Sequence, residues 1–305
     1  MPTDSAAALL RSVADTSLWS AAYRALESSQ EEPLFVDPFA QALAGERGQR
    51  LVDLVAKANP YSWMVPLRTY LIDGLIERAV LAGTRCILNL AAGLDARPYR
   101  MRLPHDLEWI EVDSAEVLTY KRTVLGVTEP SCVLRHVALD LANAAARDDL
   151  LAEVAGHSDS VLVISEGLLI YLREEEVGAL AAALRRHAAI RYWILDQQSR
   201  TLQLALQRGL DTVMGEPGRW LNFAPRDGVD FFRAFGWRPL RSLSVTHAAR
   251  AAGRLPSTWC IGDEASAGMP GSRHMNTLVH VLGSPADQNL DSSIFSPARS
   301  DPTFP

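Results

Sequence analysis

Apolar residues recur with helical spacing over the first third of the chain, and from about residue 85 the pattern changes to a repeating strand, loop and helix. Residues 5–28 read as helix, with Asp15 or Thr16 available as N-cap before Leu18, Trp19, Ala21, Ala22 and Tyr23. Pro33 and the Asp37-Pro38 pair interrupt this run, and further helical stretches are predicted over 39–44 and 50–57. Over 65–81 the apolar positions Leu67, Leu71, Leu75, Ile76 and Val80 keep helical spacing, and Gly83 supplies the stop. Short apolar runs of strand type follow at 85–90, 107–113, 132–137, 159–166 and 190–196, with helices predicted over 115–124 and 174–187. Later, a helix over 227–235 and strands over 237–243 and 277–282 bring the strand count to seven. Such alternation predicts an α/β fold: a doubly wound, mostly parallel seven-stranded sheet with helices on both faces.

The same pattern sets the organisation. Residues 1–82 form an N-terminal helical cap within one domain, and 83–284 form the core. A helix over 200–208 followed by Gly215, Pro217, Gly218, Trp220, Phe223 and Pro225 reads as a lid insertion over about 200–226. Residues 285–305 are rich in Pro, Ser and Asp and read as a surface-hugging or mobile tail.

Composition narrows the function classes. With 48% hydrophobic and 22% charged residues in 305, the chain has ordinary globular character and enough apolar mass for a large core. A net charge of -6 provides no basic footprint, so nucleic acid is disfavoured as a partner. Cys86, Cys132 and Cys260 are widely spaced and form neither a disulfide framework nor a metal-ligand pattern, which fits a cytoplasmic protein. No apolar run reaches ~18 residues, and no membrane partner is expected.

The loop after the first strand carries the chemistry. In open parallel sheets ligands bind outside the carboxyl ends of the strands, where small residues let backbone approach the ligand. Ala91, Ala92 and Gly93 meet that need, followed by Asp95 and Arg97. A dinucleotide loop calls for G-x-G-x-x-G, so that pyrophosphate sits on a helix N-terminus. Here there is one glycine, and the Asp95 carboxylate opposes a pyrophosphate. A cofactor without phosphates, such as S-adenosylmethionine, is the better match. Asp113 ends the second strand, placed to accept hydrogen bonds from ribose hydroxyls. Asp140 ends the third, within reach of an adenine amino group, and Glu166 ends the fourth, where a sulfonium and an ammonium need negative charge. Each carboxylate alone reads more readily as a helix cap; the pattern of three strand ends is what points to a ligand.

Several strings resemble the leucine carboxyl methyltransferase-like family, whose bacterial members include O-methyltransferases of polyketide biosynthesis. They are Arg68-Thr69, the run Asn89-Leu-Ala-Ala-Gly-Leu-Asp-Ala-Arg-Pro-Tyr-Arg100, Glu111-Val-Asp113, Ser165-Glu-Gly-Leu-Leu-Ile-Tyr-Leu172 and Asp196-Gln197. The resemblance covers roughly residues 15–200 and includes Ala22-Tyr23-Arg24-Ala25 and Asp37-Pro38. It implies a Rossmann-like class I methyltransferase fold and S-adenosyl-L-methionine as cofactor. By position it implies that Arg68 grips the cofactor carboxylate, with Arg24 near the same group. Ala92 and Gly93 form the loop, Asp113 takes the ribose, Asp140 and Leu141 the adenine, and Glu166 the methionine moiety. Ala91 stands where many relatives have glycine.

Methyl transfer from a sulfonium needs alignment of acceptor oxygen and methyl carbon more than acid–base help. A carboxylate acceptor is already ionised, whereas a phenol of pKa ~10 gains from a base. No histidine falls at a predicted strand end: His105, His157 and His187 sit at helix or loop edges, and His136 and His280 inside strands. This favours carboxyl methylation of a small-molecule acceptor. A phenol acceptor, a protein carboxylate, a non-catalytic cofactor-binding module and an NAD-dependent oxidoreductase are the competing readings. Acceptor-orienting candidates are Tyr171, Gln197 with its neighbour Gln198, and Arg24; Trp19, Tyr23, Trp220 and Phe223 are candidate pocket walls, or ordinary core.

Overall fold

Seven apolar runs pair into one sheet in the order β3-β2-β1-β4-β5-β7-β6 in a computed structural model, which describes residues 15–55, 61–214, 220–256, 275–284 and 292–295. The strands are β1 (Cys86–Leu90), β2 (Glu108–Asp113), β3 (Val133–Ala138), β4 (Val161–Ser165), β5 (Ile190–Gln198), β6 (Arg238–Ser244) and β7 (Thr277–Gly283). β1 to β5 run parallel, and β7 inserts antiparallel between β5 and β6. β1 and β4 are buried along their whole length, which is why they read as unbroken apolar runs instead of alternating ones. Strand order reverses between β1 and β4, so the carboxyl ends of these two flank the switch-point crevice.

The helices are α1 (Asp15–Ser28), α2 (Ala40–Val55), α3 (Met64–Leu81), α4 (Arg97–Arg100), α5 (Ala115–Leu125), α6 (Ala144–His157), α7 (Glu174–Arg185), α8 (Arg200–Met214) and α9 (Val245–Ala251). On one face α3 lays Leu67, Leu71, Leu75 and Ile76 against Ile87, Trp109, Ile164 and Ile194 of the sheet. On the other, Leu150, Leu151, Val177 and Leu184 of α6 and α7 cover Leu88, Leu90, Val163 and Trp193. The cap helices α1 and α2 bury Ala21, Ala22 and Leu43 against Leu94 and Ala96 of the first loop and Val117 of α5. The cap is thereby packed on the segment where a ligand is expected.

Two features differ from the sequence reading, and one decides between its alternatives. The stretches predicted at 39–44 and 50–57 are one element, α2, bent at Gly45 with φ 57°, while 56–57 and the predicted helix before residue 15 lie outside the described residues. α6 and α9 are additional helices. α6 is rich in alanine and buries few large side chains, so its apolar face is faint; its start is set by the Asn143 side chain accepting from the Ala146 N–H. Of the tail, Phe295 is buried with its ring 5.1 Å from that of Tyr192, so residues 292–295 hug the sheet. Among the described residues no helix is long and apolar enough to cross a membrane.

Candidate active site

The first loop follows from its backbone. Ala91 adopts φ 52° and Gly93 φ 53°, both left-handed, so the chain turns sharply off β1. Ala92 N–H donates to the Val112 carbonyl (3.1 Å), and Gly93 N–H donates to Asp113 Oδ2 (2.7 Å). A second bond, from Ser114 N–H to Oδ1 at 2.7 Å, fixes the Asp113 carboxylate beside the loop. Burial raises the Asp113 pKa, against these two donors, which favour the anion. A Cβ at Gly93 would lie 3.1 Å from Ser17 Cβ on α1, so glycine is what lets the cap close over the loop.

Beside this loop the end of β4 carries Glu166 in a web of cations. Arg68 donates through Nε to Glu166 Oε1 (3.0 Å) and through Nη1 to Asp196 Oδ2 (3.0 Å) at the end of β5. Thr69 Oγ1 donates to the same Oε1 at 3.2 Å, and Arg97 Nη1 lies 2.8 Å from Oε2. Burial favours the neutral acid, but Arg97 and Arg68 outweigh it and hold Glu166 at about 2. Asp196 Oδ1 accepts from Gly167 N–H at 2.6 Å. Arg68 Nη2 has no hydrogen-bond partner among the described residues, which leaves one guanidinium edge for a ligand.

These groups floor a cavity of about 390 Å³, within the ~300–1,000 Å³ common for small-molecule sites. Arg24, Arg68, Ala92, Gly93, Asp113, Glu166 and Tyr171 all line it. Arg24 does so while tied to Asp37 Oδ2 (2.9 Å) and the Leu94 carbonyl (2.6 Å), so its charge braces the cap against the loop. The Tyr171 hydroxyl bonds the Thr16 side chain, and burial raises its pKa, keeping it protonated. Apolar side chains make up much of the rest of the lining: Trp19 of α1, Met64 and Val65 of α3, Leu202, Leu206 and Leu210 of α8, and Trp220.

Several candidates fall elsewhere. Asp140 is exposed, its Oδ1 accepting from Ala142 N–H at 2.9 Å, and neither it nor Leu141 lines the cavity. The short turn after β3 leads directly into α6. Gln197 is buried on the face of β5 that carries Trp193 and Leu195; Gln198, one residue on, faces the cavity and donates to Asp196 Oδ2 at 3.0 Å. Strand alternation decides between the two glutamines. Phe223 belongs to a buried aromatic cluster with Phe231 and Phe232, and Tyr23 packs edge-on against Trp19 at 5.5 Å. Asp95 does not confront the ligand as an uncompensated charge. It accepts from Asn89 Nδ2 (2.9 Å) and Arg97 Nη1 (2.8 Å), and Arg97 leads the cations that lower its pKa against burial. The argument against a pyrophosphate therefore rests on the missing glycines and not on Asp95. Residues 215–218 of the lid lie outside the described residues.

Comparison with known proteins identifies the class. A family model described as leucine carboxyl methyltransferase matches residues 17–185. A Streptomyces avermitilis protein, named as an S-adenosyl-L-methionine-dependent methyltransferase, is 34% identical over 260 residues, covering 80% of this chain and 89% of that protein. A Frankia alni protein of the same name is 32% identical over 261 residues, covering 78% and 87%. A solved structure from Thermobifida fusca, described as a methyltransferase, shares the fold with TM-score 0.55 at 17% identity, covering 80% of this chain and 92% of that one. The fold is that of the class I methyltransferases. The chain belongs to the leucine carboxyl methyltransferase family.

S-adenosyl-L-methionine, for which these relatives are named, fits the residues present. Gly93 offers a surface without a side chain, Asp113 a fixed carboxylate, Arg68 an unpaired Nη2 for a carboxylate, and Glu166 negative charge at the strand end.

Proposed function

We propose that the protein is an S-adenosyl-L-methionine-dependent O-methyltransferase of the cytoplasm that esterifies the carboxylate of a small apolar acid, of the polyketide or aromatic kind. The observation that carries this reading is that one cavity is lined both by charged groups, Arg68, Asp113 and Glu166, and by apolar side chains of α1, α3 and α8. The bound cofactor supplies an electrophilic methyl group on a sulfonium. On the protein side, Asp113 and the Gly93 backbone hold the nucleoside end, and Arg68, braced by Glu166 and Asp196, takes the amino-acid carboxylate. The apolar wall holds the body of the acceptor and excludes water, so that proximity accounts for most of the acceleration. No described histidine lines the cavity, and His280 is buried with its pKa pushed down to about 3. A carboxylate acceptor suits a wall without a base, because it arrives ionised. Tyr171 and Gln198 remain as hydrogen-bonding groups to orient it.

The test has two stages. Isothermal titration with S-adenosylhomocysteine, with NAD as control, is expected to give micromolar binding of the first alone. Methyl-labelled cofactor is then offered with aromatic and polyketide acids, and the product is treated with alkali. Label released as methanol identifies a methyl ester; label that survives marks a phenolic ether and overturns the carboxylate reading.

A further inference from the structure

Arg97 is the most deeply enclosed cation beside the cavity, with 1% of its surface exposed. It opens α4, just past the first loop, and its guanidinium meets three carboxylates from three parts of the fold. Nε donates to Asp73 Oδ1 on α3 at 2.6 Å, Nη1 to Asp95 Oδ2 of the loop at 2.8 Å, and the same Nη1 lies 2.8 Å from Glu166 Oε2 at the end of β4. Nη2 reaches the Thr69 carbonyl at 3.4 Å, and the Arg97 backbone N–H adds a bond to Asp95 Oδ1 at 2.9 Å. Asp73 in turn accepts from Arg100 at 2.8 Å.

We infer that Arg97 is a positioning residue for cofactor binding: it locks Glu166 and the first loop to α3, so that the two sides of the crevice are held in one geometry. Glu166 has one oxygen for Arg68 and Thr69 and the other for Arg97, so both of its ends are fixed. A planar guanidinium serves three acceptors in fixed directions; an ammonium is a point charge that cannot span them. The groups facing Glu166 are Arg68 and Thr69 from α3, Arg97 from α4 and Asp95 from the loop, with Asp196 of β5 sharing Arg68. Loss of Arg97 removes the strongest of the cations that keep Glu166 ionised against burial.

This inference rests on the cofactor assignment above, and one experiment separates the two. Affinity for S-adenosylhomocysteine is measured on the full chain from pH 5 to 8 for the wild type and Arg97→Lys, each also in a Glu166→Gln background. Asp113 is common to all four proteins, so the readout is the ratio of the Arg97→Lys Kd to its parent's. With Glu166 Oε2 no longer held by the fork of Arg97, that ratio is expected to rise as pH falls toward the ordinary carboxyl range. In the Glu166→Gln background it is expected to stay flat. A ratio constant with pH, or one that grows equally in both backgrounds, reduces Arg97 to a structural residue and overturns the proposal. If Arg97→Lys does not fold, Arg97→Gln/Asp73→Asn removes one cation and one carboxylate together and is read by the same ratios. A wild type that binds no S-adenosylhomocysteine at any pH overturns the cofactor assignment itself.

Discussion

The Arg68 guanidinium lies across the backbone of Gly167: a Cβ built on that glycine falls 3.3 Å from Nη1, 3.4 Å from Nη2 and 3.7 Å from Cζ. Gly167 also has φ 67° and donates its N–H to Asp196, the residue that holds Nη1. The flat cation, the bare backbone and the two carboxylates thus define one orientation. Gly167→Ala adds a methyl group where the guanidinium rests and places alanine in a left-handed conformation, at a cost of about 1–2 kcal/mol. Affinity for S-adenosylhomocysteine is expected to fall by about 10-fold, the equivalent of ~1.4 kcal/mol in the binding of Arg68 to the ligand carboxylate. Calorimetric titration and a thermal melt read the two effects separately. A lower Tm with unchanged affinity shows that Arg68 does not need this seat.

Ala91 and Gly93 occupy similar left-handed conformations, φ 52° and 53°, yet only Gly93 is glycine. Alanine carries the Cβ penalty of that region, while glycine there carries a larger entropy in the unfolded chain. The first term is the larger, so Ala91→Gly is expected to raise stability by roughly 0.5–1 kcal/mol, seen as a higher urea midpoint. Gly93→Ala is expected to act oppositely and to weaken cofactor binding, because its Cβ meets Ser17 at 3.1 Å. A destabilised Ala91→Gly would falsify the strain argument.

The short apolar runs made the sheet legible, since Gly93, Asp113 and Glu166 stand at or just past the ends of β1, β2 and β4, where those runs stop. Arg68 was legible only through resemblance, because its partners stand 98 and 128 residues away. The brace formed by Arg97, Asp73 and Asp95 was not legible at all. It depends on the crossing of α3 with the first loop, and no local pattern encodes that crossing. Asp140 stands outside the cavity lining, because a carboxylate at a strand end carries no information about which way the next turn leaves the sheet. Gln197 misled by one residue, the distance that exchanges the two faces of a strand.

Acid should unfold the protein partly through Glu166. Its folded pKa, about 2, lies below the ordinary carboxyl value of 4.5, because Arg97 and Arg68 outweigh burial. A depressed carboxyl contributes stability that is complete above pH 4.5 and is lost as pH falls through about 2. Asp95 is depressed in the same direction by Arg97, Lys121 and neighbouring arginines. The Glu166 contribution at neutral pH is of order 3 kcal/mol. Urea midpoints between pH 5 and 2 are expected to fall less steeply in Glu166→Gln than in the wild type. Parallel slopes would mean that Glu166 titrates alike in folded and unfolded chains.

Under Asp113, Lys121 Nζ of α5 sits 2.6 and 2.7 Å from the two oxygens of Glu111 on β2, with both side chains fully buried. Breaking such a pair on one side leaves an uncompensated buried charge, so Lys121→Met is expected to cost about 3–5 kcal/mol. Replacing both, as Lys121→Met/Glu111→Leu, is expected to restore most of that stability in chemical denaturation. The double variant then isolates a second question. If its affinity for S-adenosylhomocysteine matches the wild type, the pair serves only to dock α5 on β2; if affinity drops while the fold holds, the pair also aligns Asp113 two residues beyond Glu111.

On the proposed reading the apolar lining takes the acceptor and the charged groups take the cofactor, and the two roles can be tested apart. Leu206 of α8 and Trp220 line the cavity along with Asp113 and Arg68, and Trp220 offers a large flat surface of the kind that dominates the energetics of aromatic recognition. Removing that ring should therefore weaken the acceptor and spare the cofactor. For Trp220→Ala the expected change is about a 10-fold rise in acceptor KM, or ~1.4 kcal/mol, with S-adenosylhomocysteine affinity within about twofold of wild type. Leu206→Ala is expected to follow with a smaller rise, since it withdraws less surface from the ligand. Steady-state kinetics on whichever acid proves to be a substrate, run beside titration of the cofactor product, reads both. An equal loss on both axes would place the cofactor against α8 and require the acceptor to lie elsewhere in the cavity.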